Sequence, residues 1–247
     1  MLIRRRRPQQ ERMTLVGHLT ELRYRLIVII CALVIGVLIG FYYSGAIVEY
    51  LHAIPGELVY LYPGEAFFAH LEVALILGVV IASPVILAQL ARFVLPALNA
   101  KEKRMLLMVI PVMILFLAAG FIFAYQVIVP IAYRFFMEFG TESLRPLISI
   151  GSYVSFVVGI VLPFGLIFQL PIAVLLLTSI GVLKPQVLVR SRKMVVVVIF
   201  VIAAILTPPD VISQILMAGP MLLLFELSVL IARIVFRRRM RRSKQSE

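Results

Sequence analysis

Twenty-two of the 24 lysine and arginine residues lie on one side of a series of long apolar runs, gathered in four clusters. Seven precede the first run (Arg4, Arg5, Arg6, Arg7, Arg12, Arg23, Arg25), and four follow the second (Arg92, Lys101, Lys103, Arg104). Four more follow the fourth run (Lys184, Arg190, Arg192, Lys193), and seven follow the last (Arg233, Arg237, Arg238, Arg239, Arg241, Arg242, Lys244). The odd-numbered connections hold only Arg134 and Arg145. Charge sorted in this way is the pattern of a chain threaded back and forth through a bilayer, with the basic side facing the cytoplasm.

The apolar runs set the fold class. In hydrocarbon every backbone N–H and C=O needs a partner, which an open-ended segment finds only as a helix. About 20 apolar residues are needed for one crossing. Six runs qualify as spans: 26–43, 66–91, 105–125, 151–180, 194–206 and 211–232. An odd number would put the two basic termini on opposite sides, so six is the consistent count. The chain is therefore expected to be an all-α integral membrane protein of six transmembrane helices, forming one domain over residues 1–247. A hydrophobic share of 62% and mean hydropathy of +1.08, beside a net charge of +12, agree with this and not with a soluble domain.

Tyrosine gives an independent check, since its ring suits lipid and its hydroxyl suits water. Eight of the nine (all but Tyr24) fall at or beyond the expected outer interface, as do Glu49, Glu57, Glu65, Glu138, Glu142 and Asp210. The single cysteine, Cys31, and three scattered histidines, His18, His52 and His70, offer neither a disulfide framework nor a metal site. No phosphate-binding loop of the GxxxxGK[ST] type is present, so no nucleotide cofactor and no ATPase activity are expected. Four consecutive arginines, Arg4 to Arg7, raise nucleic acid as a partner, but beside a membrane such an arm meets anionic lipid.

Prolines shape the spans. Pro163 and Pro171 interrupt the fourth, and Pro84, Pro111 and Pro220 interrupt others, so kinked rather than straight helices are expected. Pro55-Gly56 and Pro63-Gly64 mark an ordered outer loop over 44–65, and a second outer loop is expected over 126–150. Thr207-Pro208-Pro209-Asp210 reads as a tight turn that makes spans five and six a hairpin. Thirteen residues in span five reach about 20 Å, short of a core of about 30 Å.

Few polar residues enter these runs, and each has a structural reading beside a functional one. Gln169, near the middle of span four, makes an interhelical hydrogen bond or lines a polar cavity. Glu226 in span six faces a wet groove or pairs with Arg233. Asp210 and Gln214 cap and follow the tight turn. Glu72 sits at an interface, and Gly36-x-x-x-Gly40 permits close helix packing. On the basic face, Glu21 can pair with Arg25 one turn on, and Glu102 can form a capping box with Asn99. Two carboxylates on a cationic surface are also suited to accept a pair of incoming arginines bidentately, with Leu22 and Phe93 supplying adjacent apolar contact.

Several stretches carry a family likeness. HLTELRYRL (18–26), Pro84 with Gln89, Phe93-x-x-Pro96-x-Leu98-x-x-x-Glu102, Phe164-Gly165-Leu166-x-Phe168-Gln169-x-Pro171, and Leu206 through Asp210 and Gln214 to Pro220-Met221 and Glu226 resemble the TatC family, in order along nearly the whole chain. TatC is the polytopic receptor subunit of the twin-arginine protein translocase. The resemblance implies a kinked, glove-shaped bundle with short helices five and six. It implies a non-enzymatic receptor in the cytoplasmic membrane of a prokaryote, which binds twin-arginine signal peptides of folded proteins. Its implied partners are small single-span TatA/TatB-type subunits, membrane lipids and further copies of itself, with transport driven by the proton-motive force. By motif match Glu21, Leu22, Arg23, Phe93, Pro96 and Glu102 would form the signal-peptide surface. Gln169, Asp210, Gln214 and Glu226 would serve the concave face and partner contacts. The sequence departs from the family at Gln169, where relatives often carry Glu, and at Ala91, where an aromatic is more usual. Without the resemblance, the competing reading is an ion- or proton-coupled small-solute transporter built around Gln169 and Glu226.

Overall fold

The computed structural model describes residues 15–94, 100–140, 147–206 and 211–244. Its elements are α1 (Leu15–Leu51), α2 (Glu65–Val94), α3 (Ala100–Phe123), a π turn (Ala124–Ile128) and α4 (Val129–Met137). They continue as α5 (Ile150–Ile167), α6 (Leu170–Ile180), α7 (Pro185–Arg190), α8 (Arg192–Leu206) and α9 (Val211–Lys244). Among the described residues five helical stretches are long and apolar enough to cross a membrane: Leu19–Leu51, Glu65–Phe93, Lys103–Met137, Ile150–Ile180 and Gln214–Arg237. The expected short span is α8, whose 15 residues reach about 22 Å. The architecture is an all-helical membrane bundle, compatible with the six-helix expectation.

Prolines account for the irregularities. Pro84 has no N–H for the Val80 carbonyl, and the Ser83 hydroxyl donates to that carbonyl instead at 2.6 Å. The helix therefore passes Pro84 without a break. At Pro130 the ring would collide with the carbonyl four residues back in a regular helix. The wider π turn directly precedes it, with Val129 N–H donating to the Ala124 carbonyl. Residues 126–137, expected to be an outer loop, consequently remain helical. At Pro171 no such adjustment occurs: α5 ends at Ile167 and α6 restarts at Leu170, making a true break in the fourth span.

Lipid is as apolar as leucine, so helices in a bilayer associate by close approach and polar pairing rather than by hiding apolar surface. The α1–α2 contact follows that rule. A Cβ at Gly36 would sit 2.6 Å from the Gly78 carbonyl oxygen, and one at Gly40 equally close to that of Ala74. The core proper lies around α5, where Tyr153 and Phe164 are fully buried, and extends to Met217 and Met221 of α9. Tyr153 thereby leaves the expected aromatic belt. Its ring packs edge-on to Tyr133 at 5.9 Å, whereas Tyr42, Tyr43, Tyr50, Tyr60 and Tyr62 stay exposed.

The two far-end loops are tied to each other. Val59 N–H donates to the Ile148 carbonyl at 3.1 Å, and Ile150 N–H to the Val59 carbonyl at 2.8 Å. The buried Glu65 carboxylate accepts from Leu61 N–H at 2.6 Å and Gly151 N–H at 3.0 Å. Glu65, counted from sequence as an interfacial acid, thus acts as a latch holding the first loop to the start of α5.

Candidate functional site

At the basic end of the bundle the start of α1 packs against the end of α2, and α3 begins six residues further along the chain. Arg25 is the organising cation. Its Nε donates to Glu21 Oε1 at 3.0 Å, and its Nη2 reaches the same oxygen. Its Nη1 donates to Gln89 Oε1 of α2 at 3.3 Å. One turn beyond on each antiparallel helix stand Glu21 and Phe93, so both occupy the same level of the bundle. The pairing expected within α1 is therefore present, and it also reaches a second helix.

Glu21 is left half used. Both contacts from Arg25 fall on Oε1, while Oε2 is buried and has no hydrogen-bond partner among the described residues. A buried, unpaired carboxylate oxygen is costly unless something supplies a donor. Beside it Leu22 is 44% exposed and Arg23 is exposed, and Phe93 is half-buried. Pro96 and the Glu102 side chain lie outside the described residues, although the backbone of residue 102 belongs to the first turn of α3.

The other expected polar residues go to separate places. Gln169, at the α5–α6 break, donates through Nε2 to the Met113 carbonyl of α3 at 3.0 Å, while its Oε1 is buried without a partner among the described residues. Gln214 Nε2 donates to the Phe200 carbonyl at 2.9 Å, joining α9 to α8. Glu226 pairs with Arg192 of α8 at 2.6 Å rather than with Arg233. Asp210 lies outside the described residues. Gln169 and Glu226 therefore do not converge on one midplane site, as the transporter reading requires. Glu72 accepts from the Ser155 hydroxyl of α5 at 2.8 Å.

Gln89 is the residue whose place was not legible beforehand. The sequence shows it only beside Pro84 in the family likeness, with no role assigned, and its spacing of four from Phe93 is the signal that both share a helix face.

The hairpin gives a second candidate surface. Gln214 holds α9 to the middle of α8 at Phe200, and the Glu226–Arg192 pair holds it to the first residue of α8. The other face of α8 is bare, with Met194, Val197, Val201 and Ile205 each more than half exposed.

The family described as Sec-independent protein translocase protein (TatC) matches residues 17–220. A Carboxydothermus hydrogenoformans protein named Sec-independent protein translocase protein TatC is 41% identical over 228 residues, covering 90% of this chain and 94% of the relative. An Aquifex aeolicus protein of the same name is 40% identical over 235 residues, covering 92% and 98%. The crystal structure of a twin arginine translocase receptor, TatC, superposes with a TM-score of 0.80 at 41% identity, covering 88% of this chain and 99% of that one. The chain belongs to the TatC family and is a multi-pass membrane component of the Sec-independent protein translocase, working in complex with other subunits of that machinery.

Proposed function

We propose that this chain is the receptor subunit that binds twin-arginine signal peptides at the basic end of the bundle. With small single-span TatA/TatB-type subunits, and as part of a self-associated complex, it passes folded proteins across the cytoplasmic membrane using the proton-motive force. Both termini face the cytoplasm, as the charge asymmetry requires.

The observation that carries this reading is the unpaired Oε2 of Glu21, which lacks a donor among the described residues. The cationic end of a chain of net charge +12 repels a dication in general, so only a local acid can make it a specific site for two arginines. Glu21 has one oxygen already fixed by Arg25 and a second, buried and unpaired, whose missing donor an incoming guanidinium would supply as the side chain turns toward it. Glu102, two residues into α3, supplies the second carboxylate. Leu22 and Phe93 bound the site with apolar surface, and Arg23 and Pro96 are assigned to it by motif match alone. Gln169 stays with the concave face; Gln214 and Glu226 join α9 to α8, whose bare face receives a single-span partner, and Asp210 is assigned to the partner contacts by motif match alone.

The test is binding of a labelled twin-arginine peptide to the full chain in nanodiscs. Two charge-assisted contacts of about 1.5–3 kcal/mol each set an expected loss of at least about 100-fold when Glu21→Lys and Glu102→Lys are combined. A twin-lysine peptide, which cannot bind bidentately, should also be weaker. Unchanged affinity in the double variant, with normal membrane insertion, overturns the assignment.

A further inference from the structure

A second recognition feature lies at the basic end, away from Glu21. Between the short α7 and the C-terminal third of α9 runs a groove of about 810 Å³, lined by Pro185, Gln186, Val189, Arg190, Arg233, Phe236 and Arg237. All three arginines are exposed. Among the described residues the ion pairs are Arg25–Glu21 and Arg192–Glu226, and neither involves these three. Helices α7, α8 and α9 together contain one carboxylate, Glu226, which is engaged with Arg192.

Two simpler uses of these charges fall short. Cations near a helix C-terminus complement its dipole, but that effect is confined to the last turn. Helix α9 runs to Lys244, well past Arg233 and Arg237, so the dipole accounts only for Arg190, in the last turn of α7. Orienting the chain in the membrane needs positive charge somewhere at this end, but not a groove. Arg233 and Arg237 are four apart on one helix face, where like charges repel. Arg190 comes from a separate helix and adds to that repulsion across the groove. Such a convergence is relieved by a bound anion.

The position names the anion. Arg237 ends the apolar stretch Gln214–Arg237, so the groove sits at the level where hydrocarbon gives way to headgroups. Its walls are mixed: guanidinium forks, which match phosphate oxygens, stand over the half-buried Val189 and Phe236. The volume lies within the roughly 300–1,000 Å³ of sites that enclose a whole small molecule. It far exceeds the ~30 Å³ occupied by a water, so a lone inorganic ion would leave it mostly unfilled. An amphiphile with phosphate at one end and methylenes at the other fits both halves.

We propose that the groove between α7 and α9 is a binding site for the headgroup of an anionic phospholipid, with Arg190, Arg233 and Arg237 on the phosphate and Val189 and Phe236 against the glycerol and first methylenes. The site is independent of the peptide surface and would stand if the receptor reading failed.

Native mass spectrometry of the full chain released from neutral detergent reads it directly. Phosphatidylglycerol and cardiolipin should be retained in preference to phosphatidylcholine at equal concentration. Each arginine removed should lower the anionic preference about fivefold. The relevant variants are R233Q/R237Q, and R190Q, which lies outside the apolar stretches and leaves α9 intact. K103Q/R104Q, with the same loss of charge at α3, should leave the preference unchanged. Because the chain has no tryptophan, F236W provides a single fluorophore, which brominated phosphatidylglycerol should quench more strongly than brominated phosphatidylcholine. Equal retention of zwitterionic and anionic lipid overturns the proposal, as does an equal drop in K103Q/R104Q. Full displacement by inorganic phosphate would make it a simple phosphate site and overturn the lipid assignment.

Discussion

At the scale of single residues, this protein is built on atoms that are absent. Gly78 meets Val37 so closely that a Cβ there would lie 2.5 Å from Val37 Cγ2 and 2.8 Å from its backbone nitrogen. The backbone nitrogen cannot swing away as a side chain can. Gly78→Ala should therefore cost about 1–3 kcal/mol, the usual penalty for overpacking, in reversible unfolding of the full chain in mild detergent. Gly45, on α1 opposite the helix of Gly78, has nothing within 4 Å, so Gly45→Ala should be neutral or gain up to ~1 kcal/mol from helix propensity. Similar costs at both positions would mean that close approach does not govern the α1–α2 contact. The motif Gly36-x-x-x-Gly40 announced a packing face; its partner, Gly78, was invisible because one glycine carries no periodic signal.

At the scale of elements, the α8–α9 hairpin shows which polar contact matters. Gln214 donates to a backbone carbonyl of α8 within apolar surroundings, whereas Glu226 and Arg192 meet with side chains 52% and 40% exposed. An interhelical hydrogen bond in a membrane is worth about 0.6–2 kcal/mol, while a solvated ion pair contributes about 0–1 kcal/mol. Gln214→Leu should accordingly loosen the hairpin more than Glu226→Gln. The readout is disulfide trapping between cysteines placed on the two helices. A larger effect from Glu226→Gln would reverse this ranking. Proline positions were legible in the sequence, but their outcomes were not: Pro84 is absorbed by Ser83, Pro130 by a π turn, and Pro171 breaks its helix. Each result depends on whether a neighbouring group can take over the orphaned carbonyl.

At the scale of the whole molecule, helix lengths disagree with one another. The 37 residues of α1 extend about 55 Å, and the 15 of α8 only about 22 Å, against a hydrocarbon core of about 30 Å. A short helix with an exposed apolar face can be matched by thinning the bilayer beside it. Spin labels at Met194 and Ile205, exposed and about 17 Å apart along the axis, should then both report headgroup depth. If either label reports the middle of the hydrocarbon, local thinning is absent.

Sequence alone determined the lipid-facing character of the chain, the placement of its apolar runs and the gathering of nearly all its cations at one end. These follow from transfer free energies, which act residue by residue and leave a periodic record. Tertiary structure alone decided that Arg25 joins Glu21 to Gln89, that Glu226 takes Arg192 instead of Arg233, and that Tyr153 is buried rather than interfacial. It also set three arginines from two helices around one groove. In lipid one apolar helix face is energetically much like another. Partner choice therefore rests on a few close backbone approaches and polar pairs between distant positions, which no local pattern in the chain records.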